Sequence, residues 1–119
     1  DRIHSVIYVT ASQLFELLGN REFGQRTEDI HTGSLLESCD LLIIDDLGTE
    51  LTNSFTVSQL FICLNDRIIQ KKSTIISTNL SLNEIKSIYS ERTFSRISSN
   101  FRLLKLVGDD IRIKKKLMK

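Results

Sequence analysis

Leu41-Leu42-Ile43-Ile44-Asp45-Asp46-Leu47-Gly48-Thr49-Glu50 is the stretch whose reading decides the fold. Four consecutive large apolar residues carry no polar face, which suits a strand buried on both sides of a parallel sheet. Two carboxylates follow where such a strand leaves the core. In open α/β sheets, ligands bind outside the carboxyl ends of the strands, so Asp45 and Asp46 stand where chemistry is usually placed. An apolar strand ending in two acids is also the pattern by which nucleotide hydrolases hold Mg²⁺ and position a water. The same residues fit a strand that ends in a solvated acidic turn. The rest of the chain has to separate the two.

At 119 residues and 13.6 kDa the chain makes one domain at most, large enough to bury a core. Its 40% hydrophobic and 26% charged content is that of an ordinary globular chain. No apolar run approaches the roughly 20 residues that span a bilayer, and the N-terminus lacks a signal-peptide pattern, so the expectation is a cytoplasmic protein with no membrane partner. Cys39 and Cys63 lie in apolar contexts without CxxC or histidine partners, and are expected to be reduced core residues. His4 and His31 are isolated and read as surface residues. A net charge of +1 hides an asymmetry: from Arg102 onward seven basic residues face only Asp109 and Asp110, which leaves the body mildly acidic. Lys114, Lys115, Lys116 and Lys119 form either a solvated terminus or an arm for DNA phosphates; no aromatic residue interleaves them to stack bases. The absence of proline and the five glycines argue against long linkers.

Outward from the central stretch, Ser5–Thr10 is β-branched and aromatic and predicts a strand. Ala11–Leu18 has helical spacing, with Ser12 as N-cap and Gly19 as stop. Asn20–Thr27 reads as a loop, and Glu28–Ser38 as a short helix with Ile30, Leu35 and Leu36 inward. After Glu50, Asn53 or Ser54 caps a long amphipathic helix to about Lys71, its inward positions being Phe55, Val57, Leu60, Phe61, Cys63, Leu64, Ile68 and Ile69. Ser73–Thr78 is the next strand, with Asn79 at its carboxyl end. Ser81 caps a helix to about Ile88, and Ser90 or Glu91 begins another that carries Arg92, Phe94, Arg96 and Ile97. Phe101–Val107 predicts a strand, Gly108-Asp109-Asp110 a turn and Ile111–Lys114 a returning strand. Alternating strands and helices imply parallel strands.

Three features fall in chain order: an acidic pair ends one strand, Asn79 ends the next, and a later helix presents arginines. Asp45 suits Mg²⁺ coordination, and Asp46 suits orienting or deprotonating a water. Asn79 suits a hydrogen bond to that water or to a γ-phosphate, and Arg96 suits stabilising charge on a transferred phosphoryl group. Each residue singly also fits an ordinary turn or surface role. Their order favours a nucleotide hydrolase.

These residues carry a resemblance. Leu41–Gly48 resembles a Walker B motif of AAA+ ATPases, Ile76-Ser77-Thr78-Asn79 is similar to their sensor 1 strand, and Glu91–Ile97 resembles the arginine-finger helix called box VII. Together with Tyr8-Val9-Thr10-Ala11, Asp45–Glu50, Thr78-Asn79-Leu80 and Gly108–Arg112, they are most similar to the DnaC/DnaI-like helicase loaders and the IstB-like transposition ATPases, over essentially the whole chain. The resemblance implies a parallel-sheet, three-layer P-loop NTPase fold and ATP with Mg²⁺ as cofactors. It assigns Asp45 to the metal, Asp46, Asn79 and Arg96 to catalysis, and Asp45, Asn79 and Arg112 to nucleotide binding. A replicative helicase, single-stranded DNA and self-assembly through the arginine-finger face are the implied partners.

No Gly-Lys pair occurs anywhere, so the GxxxxGK[ST] phosphate loop is absent. In the family this loop lies upstream of the strand at Ser5–Thr10. Residues 1–119 are therefore expected to be the C-terminal part of one AAA+ domain, incomplete at its N-terminal side and inactive alone. The second acid is often Glu in AAA+ proteins, where this chain has Asp46. The expected function is that of an ATP-dependent helicase loader. The alternatives are an IstB-like transposition helper, or a DNA- or protein-binding module with a degenerate nucleotide site.

Overall fold

A computed structural model describes residues 4–23, 35–50 and 52–104. Three strands, β1 (Val6–Thr10), β2 (Leu41–Leu47) and β3 (Ser73–Thr78), form one parallel sheet in the order β1-β2-β3. Helix α1 (Ala11–Phe23) follows β1, α2 (Ser54–Ile69) joins β2 to β3, and α3 (Leu82–Tyr89) and α4 (Glu91–Asn100) follow in succession. Parallel pairing of β2 with β3 is what the expected nucleotide-binding fold requires; antiparallel pairing would have excluded it.

Alternation along the strands sets the two faces. Val9, Leu42 and Ile44 are buried in one cluster with Leu14 and Leu18 of α1 and Leu60 and Leu64 of α2. On the opposite face Val6, Tyr8 and Ile75 are exposed, and Leu41 and Ile43 are half-buried. The described residues thus supply two of the three expected layers, and β2 is fully buried on one face only. Each of the large aliphatic side chains in the cluster contributes about 1.5–3 kcal/mol by leaving water. Cys39 and Cys63 are buried, as their contexts predict.

The helix ends follow local chemistry, with several departures from expectation. Thr10, not Ser12, caps α1: its hydroxyl accepts from the Gln13 N–H at 3.2 Å while Gln13 Oε1 accepts from the Thr10 N–H at 2.9 Å. The strand therefore passes into the helix without a loop. Gly19 does not stop α1, which continues to Phe23, because packing of Leu14, Phe15 and Leu18 outweighs the roughly 1 kcal/mol that glycine costs. Residues 35–38 are helical and bury Leu36, but Leu35 faces solvent, as does Ile69 at the end of α2. Asn53 caps α2 and Ser81 caps α3, each in a reciprocal capping box. Phe101–Leu104 pairs with no strand among the described residues, so the expected strand there is not formed over that part. Residues 105–119, including Arg112, the turn, the last strand and the lysines, lie outside the described residues, as do Ile30 and His31.

Two polar groups lock the sheet's amino edge. The Asp40 carboxylate accepts from the His4 N–H at 2.7 Å, the Ser5 N–H at 3.2 Å and Lys72 Nζ at 3.3 Å, stapling the starts of all three strands. The His4 amide, then Lys72, hold its carboxyl below the usual range, so this staple is present at neutral pH and is lost as pH falls through that lowered value.

Arg67, fully buried on α2, is the second lock. Nε donates to Thr74 Oγ1 at 2.8 Å, Nη1 to the Leu36 carbonyl at 2.9 Å and Nη2 to the Ser73 carbonyl at 2.6 Å, all neutral acceptors. Arg67→Ala should strand these acceptors and open a cavity, lowering stability by about 3–5 kcal/mol in chemical denaturation. A loss below about 1 kcal/mol would contradict the assigned role.

Candidate functional site at the carboxyl edge of the sheet

The register of β2 against β3 slips once. Ile44 pairs with Ile76 and Leu47 with Thr78, so Asp45 and Asp46 together oppose the single residue Ser77. This is a β-bulge at the acidic pair. Without it, the period of two would put Asp46 on the buried face beside Leu42 and Ile44. The extra residue turns Asp46 to solvent and gives its inward place to Leu47, which is buried. The strand therefore does not end at the acids, as expected, but continues through them.

One hydroxyl spans the bulge. Ser77 Oγ donates to Asp45 Oδ1 at 2.5 Å and accepts from the Asp46 N–H at 3.0 Å. Asp46 stands at φ +59°, left-handed backbone that Asp and Asn tolerate better than most residues. Its carbonyl accepts from Thr49 Oγ1 at 2.9 Å, which closes the turn from the other side. Gly48 has φ +108°, and a Cβ there would lie 2.6 Å from Leu80 Cδ1, so glycine is required on both counts.

The two carboxylates have different surroundings. Asp45 is held at both oxygens, by Ser77 and by the Tyr8 hydroxyl, which donates to Oδ2 at 2.5 Å from the neighbouring strand. That hydrogen bond, ahead of slight burial and the two acidic charges, pushes the Tyr8 hydroxyl's pKa up and keeps it a donor. The Asp46 carboxylate is exposed and accepts no hydrogen bond among the described residues. One acid is pre-oriented; the other is available.

Asn79 follows β3 directly and is exposed at the same sheet edge. Thr78 Oγ1 braces its turn, donating to the Leu47 carbonyl at 2.6 Å and accepting from the Leu80 N–H at 3.0 Å. The structure thus brings Asp45, Asp46 and Asn79 to one edge. Arg96 lies apart on α4, which packs on α2 and α3, and its exposed side chain pairs with no carboxylate among the described residues. Arg92 of the same helix stacks over Phe61 at 4.1 Å, so of the two arginines only Arg96 is uncommitted. Sequence reading missed Tyr8 and Ser77. The available signal was a hydroxyl two positions before Asn79, on the strand expected to pair with the acidic one.

Mg²⁺ typically binds through one or two carboxylates plus substrate phosphates. An Asp whose oxygens are oriented by hydroxyl donors, at the carboxyl edge of the sheet, fits that chemistry.

The parallel α/β sheet, with acids and a polar residue at the carboxyl edge of adjacent strands, has the fold of the P-loop NTPases of the AAA+ type. The family profile of the IstB-like ATP binding proteins matches residues 2–118, and the chain belongs to that family. Among solved structures, the DnaC helicase loader matches at TM-score 0.71 and 23% identity, over 86% of this chain and 60% of that one. AMPPCP-bound DnaA from Aquifex aeolicus matches at TM-score 0.66 and 24% identity, over 96% and 36%. The replication initiator DnaA bound to AMPPCP and single-stranded DNA matches at TM-score 0.71 and 21% identity, again over 96% and 36%. These likenesses establish a shared fold, and the chain spans less than two thirds of each of those proteins. No curated protein matches it by sequence. Among the described residues no helix is long and apolar enough to cross a membrane.

Ser77→Ala should release Asp45 Oδ1 and the Asp46 amide together. Amide exchange at Asp46 should quicken at least about tenfold, the equivalent of losing one hydrogen bond of about 1.4 kcal/mol. Exchange at the parental rate would show that the bulge holds without this hydroxyl.

Proposed function

We propose that this chain is the C-terminal part of an ATPase domain that hydrolyses ATP to load a replicative helicase, with the phosphate-cradling loop supplied by sequence before residue 1. The observation that carries the reading is the bulge, which sets one oriented and one free carboxylate beside Asn79 at the edge where such folds bind ligands. Asp45 would hold Mg²⁺, whose chemistry when bound is to neutralise charge on the phosphates. The Asp46 carboxylate, solvent-facing and accepting no hydrogen bond among the described residues, orients the attacking water and draws off its proton. Asn79 hydrogen-bonds that water or the γ-phosphate. Arg96 compensates charge on the transferred group.

Because Arg96 is exposed and lies on a helix away from the acids, we assign it to the nucleotide of a neighbouring subunit, which makes self-assembly part of the function. Single-stranded DNA is the further partner, with the basic residues after Arg102 as its contact. A second reading, an IstB-like transposition helper with the same chemistry, is favoured by the family profile. The likeness to the helicase loader favours the first.

Asp46→Asn tests the catalytic assignment cleanly, because Asn accepts left-handed backbone as readily as Asp. In the full-length protein it should lower kcat for ATP by about 100-fold or more with nucleotide binding retained. Mixing it with an Arg96→Ala chain should restore part of the activity that each lacks alone. Parental turnover in Asp46→Asn would remove the base. No complementation in mixtures that co-assemble would place Arg96 in its own subunit's site or in none.

A further inference from the structure

Glu50 ends the acidic loop and has no part in the chemistry proposed above. Its carboxylate is nonetheless divided between two structures. Oε1 accepts from the Gly48 N–H at 2.9 Å, two residues past Asp46. Oε2 accepts from the hydroxyl of Tyr89. Tyr89 is the last residue of α3 and is fully buried. A buried phenol needs a partner for its hydroxyl, and this one finds it on a loop 39 residues earlier in the chain. Burial first, then the Glu50 carboxylate, push its pKa far up, with smaller opposing contributions from Thr52 and Gly48, so the hydroxyl remains a donor.

The position of Tyr89 gives this contact its consequence. Only Ser90 separates α3 from α4, and it serves both helices: its N–H donates to the Lys86 carbonyl at 3.2 Å, and its side chain accepts from the Thr93 N–H at 3.4 Å. Ser90 is held at φ +101°, backbone that a serine adopts only when its surroundings impose it. The Tyr89 ring and hydroxyl, anchored on Glu50, are the adjacent fixed point. The direction in which α4 leaves this joint sets where Arg96 is presented. Hydrogen bonds and chain neighbours therefore run from Gly48, two residues past Asp46, through Glu50, Tyr89 and Ser90 to the helix of Arg96.

We propose that Glu50 and Tyr89 are positioning residues that couple the acidic loop of one subunit to its own Arg96 helix, so that nucleotide held at Asp45 and Asp46 governs how Arg96 is offered to the neighbouring subunit. This rests on the ATPase reading above and adds regulation to it. Neither residue touches nucleotide; both act through α4. A link of this kind costs kcat and leaves the KM for ATP nearly unchanged.

Tyr89→Phe is the test, since phenylalanine fills the same pocket and removes only the hydroxyl. In the full-length protein kcat should fall about tenfold with KM within about twofold, and combining Tyr89→Phe with Arg96→Ala should give the rate of Arg96→Ala alone. Glu50→Ala should behave as Tyr89→Phe does. Glu50→Gln should retain most of the rate, because its amide can accept from Gly48 and donate to the phenol. Independently of turnover, adding Mg²⁺ and a non-hydrolysable ATP analogue should change hydrogen exchange across Glu91–Asn100 in the parent and not in Tyr89→Phe. A parental exchange response in Tyr89→Phe, or an equal further loss of rate in the Arg96→Ala background, would overturn the coupling while leaving the ATPase reading intact. A parent that fails to bind the analogue would overturn both.

Discussion

A single hydroxyl, that of Ser77, holds the arrangement on which the site depends. It satisfies one oxygen of Asp45 and the amide of Asp46 at once, and so stabilises two residues of β2 opposite one of β3. The consequence reaches past the hydrogen bonds. A parallel sheet with one buried face cannot carry an aspartate at an inward position, and the bulge is how two adjacent acids leave β2 without unfolding its carboxyl end. Leu47 takes the inward place, Thr78 clasps its carbonyl, and Gly48 turns the chain under Leu80.

From that constraint the acids acquire separate surroundings. Both belong to the same strand and chemical type, yet one is fixed by two hydroxyls and the other extends into solvent. A metal ligand is best pre-oriented by its neighbours, whereas a base needs room for water and substrate. The loop after them returns through Glu50 to Tyr89 and so to α4. The edge that holds the acids and the helix that carries Arg96 are thereby parts of one hydrogen-bonded unit.

Much of this was legible in the residues. The strands at Leu41–Ile44 and Ser73–Thr78 and the caps at Asn53 and Ser81 are all local signals, and the structure follows them, although β2 is fully buried on one face only and runs on through the acids. Tertiary effects were not legible. Gly19 reads as a stop, but α1 continues through it after the packed turn of Leu14, Phe15 and Leu18. Ser12 reads as a cap, but Thr10 with Gln13 forms the better reciprocal pair. Arg67 continues the Leu60, Cys63, Leu64 stripe at helical spacing into the core, but its burial depends on acceptors that other elements bring to it. The roles of Tyr8, Ser77 and Tyr89 depend on register and on contacts more than 30 residues apart in sequence, which no local pattern encodes.

On the proposed function, Asp45 is the oriented anchor of a nucleotide site. Calorimetry of Mg-ATP binding, run on the full-length protein, its Asp45→Asn variant and the isolated 119 residues, tests it directly. The full-length protein should bind at micromolar affinity, Asp45→Asn at least about tenfold more weakly, and the isolated chain should give no isotherm at micromolar nucleotide. Equal affinity of the parent and the Asp45→Asn variant, or clear micromolar binding by the 119 residues alone, would contradict it.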